Sequence, residues 1–471
     1  MSKRPLLLTA AVTMMCSACN CQTPAGGPIL PRPSRSSAIA ITGDDAIVAA
    51  VNPDMDRLAL INTDTNTVAG SVTFSIGSMP VSVAIHPDNV TAFVVLRKAG
   101  RLAKVTGINT LTPESSADVD VGSEPTGVAL SPTGALALVA NYGEGTVSVV
   151  DTATMAVTST VRVGSAPRAI SITNDNDDKD MDESAWVTLF FGAPNDAALE
   201  TADNSREGKL VEIALVDLAA QSPVTLGAVA TGVGPTLADG GTGTAVNCGP
   251  NQLSNIALNN GKAYVTHTCA APQPPIFKFT NLFAGLSVVD LGSKAEDVST
   301  TGTLALNKLV DDQSTKTGLL LGVPVEVDFR KDTNVAYVVS QSADVVQRIV
   351  YSGDAAKPVA LGVNSGFAQI DLKGTTGIKV PIGIVVANSK QTAYVNNWAD
   401  RSVSVIDLGL QAVSGAPVPI APKPTANSRE EKVLAGIKFF FTGTGRWSDR
   451  GVSSCGSCHP DGLSDNITWV F

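Results

Sequence analysis

Three near-copies of one phrase constrain this chain more than any other feature. Ile76-Gly-Ser-Met-Pro80, Val121-Gly-Ser-Glu-Pro125 and Val163-Gly-Ser-Ala-Pro167 stand with their prolines 45 and then 42 residues apart. Each opens the same grammar. An alternating apolar segment comes first, as in Thr126-Gly-Val-Ala-Leu-Ser131. The turn Pro132-Thr-Gly134 follows, then a second segment from Ala135 to Ala140. A polar turn, Asn141-Tyr-Gly-Glu-Gly145, leads to a third segment, Thr146 to Asp151, and a fourth lies near Ala156 to Val161. Period-two alternation between Gly, Pro and Asn turns marks strands. Four strands in each repeat mark a propeller blade, which cannot bury its faces alone and stacks on its neighbours. The expected fold class is all-β, a β-propeller of four-stranded blades.

The third copy carries a family likeness. Leu138-Val-Ala-Asn-Tyr-Gly-Glu-Gly-Thr-Val-Ser-Val-Val-Asp151 resembles the YVTN-type β-propeller repeat, and Ala393-Tyr-Val-Asn-Asn-Trp-Ala-Asp-Arg-Ser-Val-Ser-Val-Ile-Asp407 is a second good copy. Weaker copies start near Ser36, near Pro250 (Lys262 to Thr268, then Leu286-Ser-Val-Val-Asp290) and at Pro324 (Val335-Ala-Tyr-Val-Val339). The Pro167 unit is longer and reaches about Asn247 through insertions. Seven blades are expected over residues 36–419, in a ring that leaves only short, protected edges. Such a resemblance is specific for fold and weak for function.

Charged residues make up only 16% of the chain, and Gly, Thr, Ser and Val are abundant. That favours an extracytoplasmic all-β protein. The net charge of −10 argues against non-specific binding to nucleic acid or anionic lipid, which needs clustered Lys and Arg. Residues 1–21 look like an export signal: Lys3 and Arg4, an apolar core from Pro5 to Met15, then Ser17-Ala18 before Cys19. The pattern resembles a bacterial lipoprotein signal with Cys19 as the lipidated residue. It departs from that family where Cys16 stands in place of Leu three residues earlier, and a plain secretory peptide is the alternative. The apolar core is too short to span a bilayer, so membrane contact is expected only through the lipid. Residues 22–35 read as a tether. The expected location is the periplasm or the cell surface.

Export places Cys248 and Cys269 in a disulfide-permissive compartment. Their 21-residue separation suits a bridge between neighbouring strands or between a loop and its strand; two unpaired buried thiols are the alternative. Between the strands Ala169 to Thr173 and Ala185 to Phe191 runs Asn174-Asp-Asn-Asp-Asp-Lys-Asp-Met-Asp-Glu183. Asp175, Asp177, Asp178, Asp180 and Asp182 are spaced like an oxygen-rich Ca²⁺ loop. The loop departs from an EF-hand: Lys179 intervenes, the turn Gly is absent, and no Glu stands twelfth from Asp175. A solvated acidic loop is the alternative. His86 sits at a turn position and His267 within an alternating strand, so both are expected to be structural. Three histidines in all cannot build a multi-His copper or zinc centre in the propeller. Gly240-Gly-Thr-Gly243 has no helix after it and reads as loop, not nucleotide site.

The chemistry lies after the last blade. A Pro-rich linker, 420–427, precedes Ser428-Arg-Glu-Glu431, the capping-box signature of a helix start. Val433, Leu434, Ile437 and Phe440 or Phe441 supply one apolar face. Then comes Cys455-Gly-Ser-Cys458-His459, the C-x-x-C-H pattern of covalent c-type haem attachment. The two thiols would add across the haem vinyl groups, and the imidazole would reach the iron. A zinc knuckle would need further Cys or His nearby, and a redox C-x-x-C is the other alternative. No Cys or His lies between Cys269 and Cys455 or after His459.

Gly436-Ile-Lys-Phe-Phe-Phe441 with Gly451-Val-Ser-Ser-Cys-Gly-Ser-Cys-His-Pro-Asp-Gly462 resembles the first haem segment of the bacterial di-haem cytochrome c peroxidase family. That resemblance implies Cys455 and Cys458 as thioether positions and His459 as proximal ligand of a haem c. Only 12 residues follow His459, without Met, His or a second C-x-x-C-H. Residues 428–471 are therefore expected to be a short helical, incomplete cytochrome c-like segment of a longer polypeptide. The expected function is electron transfer by an exported haem protein whose propeller docks a partner or the cytochrome segment itself. Its partner would be a redox protein or a small-molecule oxidant. The alternative is a cell-surface binding or scaffold lipoprotein, stabilised by Ca²⁺.

Overall fold

The computed structural model describes residues 27–234, 241–274, 281–299, 302–312, 318–351, 359–362, 369–374, 377–448 and 450–470. Cys19, the rest of the export signal, Gly240 and Phe471 lie outside the described residues.

Seven antiparallel sheets follow one another along the chain, over residues 39–73, 80–120, 125–162, 167–226, 229–305, 324–371 and 381–419. These are the seven blades of a propeller. Blade three shows why the sequence folds this way. Its strands Pro125–Leu130, Leu136–Asn141, Thr146–Asp151 and Ala156–Arg162 pair in chain order. The first three strands are largely buried, whereas the outermost is mostly exposed. Val and Leu therefore fill the inner strands, and Thr and Ser appear outside. Gly134 and Gly145 close the two turns at positive φ (76° and 72°), where a side chain would be strained. In blades four to seven the outer strand comes as two short pieces on one partner, as Ala219–Ala220 and Val224–Leu226 do on Arg206–Ala214.

The core is a ring of layers between blades. Ala49, Val51, Leu58 and Leu60 of blade one pack on Val83, Ile85 and Val94 of blade two. Ala129, Leu138 and Val149 of blade three pack on Ile170, Val187 and Val211 of blade four. Each Val, Leu or Ile among them contributes roughly 1.5–3 kcal/mol on burial. Among the described residues no strand is exchanged between blades one and seven. That seam is closed by an apolar layer, in which Ile39, Val48 and Ala50 pack on Val385, Tyr394 and Val403, and by polar groups. Asn396 Nδ2 donates to the carbonyls of Ala38 and Val51 at 3.0 and 2.8 Å. Asp45 accepts from the backbone N–H groups of Asn388, Ser389 and Lys390 and from the Ser389 hydroxyl. Burial acts to raise the Asp45 pKa, yet these hydrogen bonds hold it below the usual carboxylate range.

The inner strands run from a mouth face, where the repeat prolines sit, to the opposite face. In blades four and five the strands are extended at the mouth. Ser184–Pro194 pairs with Arg206–Ala214, and Asn247–Asn259 with Lys262–Ala270. The insertions expected in the Pro167 unit build this raised wall, and blade five begins its inner strand at Asn247, three residues before Pro250. Cys248 and Cys269 are bonded across it, with Cα atoms 5.4 Å apart.

The second half of the segment read as a tether is part of the propeller. Residues 30–37 thread the central channel from the opposite face to the mouth. Leu30 N–H donates to Pro132 O, Ser36 N–H to Ile170 O, and Ile172 and Val83 N–H groups donate to Ser34 and Ser37. Arg35 reaches Glu326 and Asp328 of blade six, and Arg32 reaches Asp328 and Val386 O. The Pro and Ser residues that suggested a free linker leave the backbone extended, and the inner strands supply its partners.

Candidate haem-attachment site at the channel mouth

Residues 428–470 lie across the mouth. After helix α1 (Leu306–Asp311) in the blade-five connection, helix α2 (Arg429–Phe441) starts at Ser428, whose hydroxyl accepts from Glu431 N–H at 3.1 Å. Glu431 reaches back to Asn427 N–H, one residue beyond the reciprocal box partner. Of the expected apolar face only Leu434 is buried. Phe441 packs on Trp398 of blade seven with ring centroids 5.4 Å apart. Val433, Phe439, Trp447 and Leu463 remain exposed.

Helix α3 (Cys455–Cys458) is a single turn, capped by Ser454 and Ser457. Three residues of spacing put both thiols on one side of it. Cys455 is exposed and Cys458 half-buried, and neither is in a disulfide. His459 ends the turn, its N–H donating to Cys455 O at 2.9 Å. Its ring is exposed, and Nδ1 lies 3.0 Å from Leu463 O. A carbonyl only accepts, so Nδ1 carries the proton and Nε2 keeps its lone pair. Fixing one ring nitrogen on a backbone carbonyl is how a metal-binding imidazole is oriented. The thiol pair and the oriented imidazole therefore fit a covalent haem. Burial, followed by the nearby charge of Asp465, pushes the Cys458 thiol up to about 12.

The turn is held by the propeller. Gln252 Nε2 donates to Ser457 O at 2.6 Å, and Asn251 Nδ2 to Asp465 O at 2.7 Å. Arg206 donates to Asn466 O. Ser342 Oγ donates to Gly451 O, and Arg450 pairs with Asp311, both at 2.7 Å. Two residues beyond His459, Asp461 meets Arg97 at 3.0 Å and Arg168 at 2.5 Å. These arginines hold its carboxyl well below the usual range against the opposing effect of burial. Between this segment and the N-terminal thread lies a cavity of about 190 Å³, lined by Ser36, Gln252, Asn255, Trp398 and Phe441 among others.

The other candidates lie elsewhere. On the acidic loop, Asp175, Asp177 and Asp182 bring carboxylate oxygens within 4.8 Å of one another. Lys179 already pairs with Asp177 at 2.7 Å. Asp178 is outside that trio. Asp180 turns inward and accepts from Ser131 Oγ, Thr133 N–H and Thr133 Oγ1, so it ties the loop to blade three. His86 stacks over Gly134 and contacts Asp88, as a turn residue. His267 is fully buried against Ser287 Oγ at 3.0 Å, and burial lowers its pKa to about 3.

Sequence reasoning missed Arg97 and Arg168. The signal was present in the repeats. Arg168 follows the repeat proline, where other blades carry Val81, Thr126, Val325 and Ile382. Arg97 follows the second strand, where others carry Tyr142, Gln341 and Trp398.

No protein-family model and no curated protein matches the chain. Solved structures do. A hydrazine synthase chain from Kuenenia stuttgartiensis superimposes with a TM-score of 0.58 at 15% identity, over 82% of this chain and 98% of that one. The likeness is one of fold. A functionally unknown protein from Desulfotomaculum acetoxidans gives 0.46 at 13% identity, over 80% and 99%. A dihydro-heme d1 dehydrogenase in complex with DHE gives 0.43 at 12%, over 88% and 78%.

Proposed function

We propose that this chain is an exported electron-transfer protein that carries a covalent c-type haem on the mouth of a β-propeller. One observation supports this above the rest. Cys455, Cys458 and His459 share one turn, with Cys455 and His459 exposed and Cys458 half-buried, and the Leu463 carbonyl orients the imidazole with its Nε2 free. Cys455 and Cys458 would hold the haem as thioethers and His459 would bind its iron. When bound, haem supplies a one-electron carrier. The chain's own contribution is to fix the turn on a rigid seven-bladed platform and to leave the thiol side facing outward.

Cys19 would anchor the chain by lipid at the periplasmic face or cell surface. The thread of residues 30–37 enters from the face opposite the mouth. Inner strands of six residues span about 20 Å. A lipid on Cys19 would thus set the haem-bearing face away from the membrane, toward a soluble redox protein or small-molecule oxidant. The trio Asp175, Asp177 and Asp182 favours a second, subordinate reading as a Ca²⁺ loop that stabilises blade four.

The test is expression of the full chain in a strain with cytochrome maturation machinery, followed by denaturation, haem staining and a pyridine haemochrome spectrum. Covalent haem is expected, with loss of both thioethers in the Cys455→Ala/Cys458→Ala double variant. Absence of covalent haem in that strain refutes the proposal and leaves a propeller scaffold.

A further inference from the structure

We propose that Arg97 and Arg168 form a carboxylate receptor on the propeller mouth, with Asp461 as its built-in ligand and as the positioning residue of the haem-bearing turn. The inference deepens the haem reading, but its docking half stands without it.

The two guanidiniums come from different blades. Arg97 closes the second strand of blade two, and Arg168 lies on the inner strand of blade four. Each is backed by an aromatic ring. Arg97 lies 5.4 Å from the Tyr142 ring centroid, and Arg168 lies 4.8 Å from that of Phe190. Tyr142 and Phe190 meet edge to face at 6.2 Å. The arginine side chains are only 11% and 25% exposed. Stacking of this kind fixes the planar forks in advance, so little order remains to be imposed when a carboxylate arrives.

Both forks close on one carboxylate. Asp461 Oδ2 accepts from Arg97 at 3.0 Å and from Arg168 at 2.5 Å, and Oδ1 lies 3.4 Å from the second Arg168 nitrogen. Arg97 also pairs with Glu124 at 3.0 Å, a side chain more than half exposed. Arg168 has Asp461 as its acidic partner among the described residues. Without Asp461 two cations would face each other on a partly desolvated mouth, a state that favours an anion from any source. The bound turn, Pro460–Gly462, follows directly on His459. The clamp therefore sets where the imidazole and the two thiols stand relative to the propeller.

Hydrogen exchange across residues 453–463 in the full chain reads this docking, because the amides of Ser457, His459, Gly462 and Leu463 are bonded within the turn. In Asp461→Ala, exchange there is expected to rise by about tenfold or more, the loss of one to two charge-assisted bonds. Asp461→Glu should recover part of the protection. Sodium acetate should protect Asp461→Ala at concentrations where sodium chloride of equal ionic strength does not, and should fail on Asp461→Ala/Arg168→Ala. Wild-type exchange in Asp461→Ala, or acetate protection equal to that of chloride, overturns the receptor. Circular dichroism of the same variants checks that the propeller is intact. Haem staining is read separately: loss of haem in the wild type refutes the haem reading and leaves the exchange result to judge the clamp.

Discussion

Arg35→Ala is the sharpest test of the thread through the channel. The Arg35 side chain is 10% exposed and sits between Glu326, 2% exposed, and Asp328. It also donates to Ile384 O at 2.7 Å, which links blades six and seven. Removing it leaves Asp328 with Arg32 at 3.4 Å, but leaves Glu326 without a cation. Breaking a buried pair by deleting one partner costs about 3–5 kcal/mol. With an m-value above ~3 kcal/mol/M for a chain of this size, the urea midpoint should fall by roughly 1 M at pH 8. The pH dependence gives an independent sign. Burial, opposed by Arg35, pushes the Glu326 carboxyl up to about 7. A raised acid pKa favours the neutral form in the folded state, so stability falls as pH rises from the unfolded value near 4.5 through 7. Loss of Arg35 raises that pKa further. The deficit of Arg35→Ala should therefore be largest at pH 8 and shrink toward pH 5. Adding Glu326→Gln should recover most of it. A loss below about 1 kcal/mol at pH 8, or one that grows at pH 5, refutes this account of the thread.

Asp344 is fully buried, and burial raises its carboxyl to about 6; Asp344→Asn should stabilise the protein by up to about 3 kcal/mol at pH 8, with no difference below about pH 4 in chemical denaturation. Asp45 has a lowered pKa and closes the blade one–seven seam, so its contribution holds at neutral pH and is lost as pH falls below about 4. Asp45→Ala should cost about 3 kcal/mol or more at pH 7 and about 1 kcal/mol less than that, at most, at pH 3 by the same assay. Replacing Cys248 and Cys269 by Ala should lower stability by about 2–4 kcal/mol without changing haem attachment, read by denaturation and haem stain. Calcium titrated calorimetrically into the full chain should give a heat that Asp175→Asn abolishes, and no heat at millimolar Ca²⁺ removes the second reading.

The blades were legible because the repeats state their own boundaries. Pro80, Pro125 and Pro167 each begin an inner strand, and period-two alternation needs no tertiary information. The turn that carries Cys455, Cys458 and His459 was legible for a similar reason, since these residues lie within five positions. The channel thread was not. Arg32 and Arg35 find their partners about 290 residues away, and a Pro/Ser/Arg stretch carries no local sign of such a partner. Asp180 shows the reverse error. Its carboxylate belongs by composition to the acidic loop, but Ser131 and Thr133 of the neighbouring blade already satisfy it.

Function on a repeated fold must come from departures from the repeat. Five blades begin the inner strand with a proline, at Pro80, Pro125, Pro167, Pro324 and Pro381, and an apolar residue after each would make the mouth indifferent to what covers it. Arg168 breaks that equivalence at one position and Arg97 breaks it at a second, with blade three between them supplying Tyr142. The two substitutions give a symmetric ring a direction. They select one carboxylate, and that carboxylate lies two residues from the imidazole. The raised wall of blades four and five does the same by length, as Asn251 and Gln252 catch the backbone on either side of the turn. The same logic applies to the channel. A propeller open along its axis would offer a ligand site to solvent, whereas here the thread of residues 30–37 runs along the axis, and Phe441, Gly456, Pro460 and Asp461 line the cavity left at its mouth. What remains facing outward is Cys455 and His459, with Cys458 half-buried beside them. The propeller acts on the chemistry by placing it.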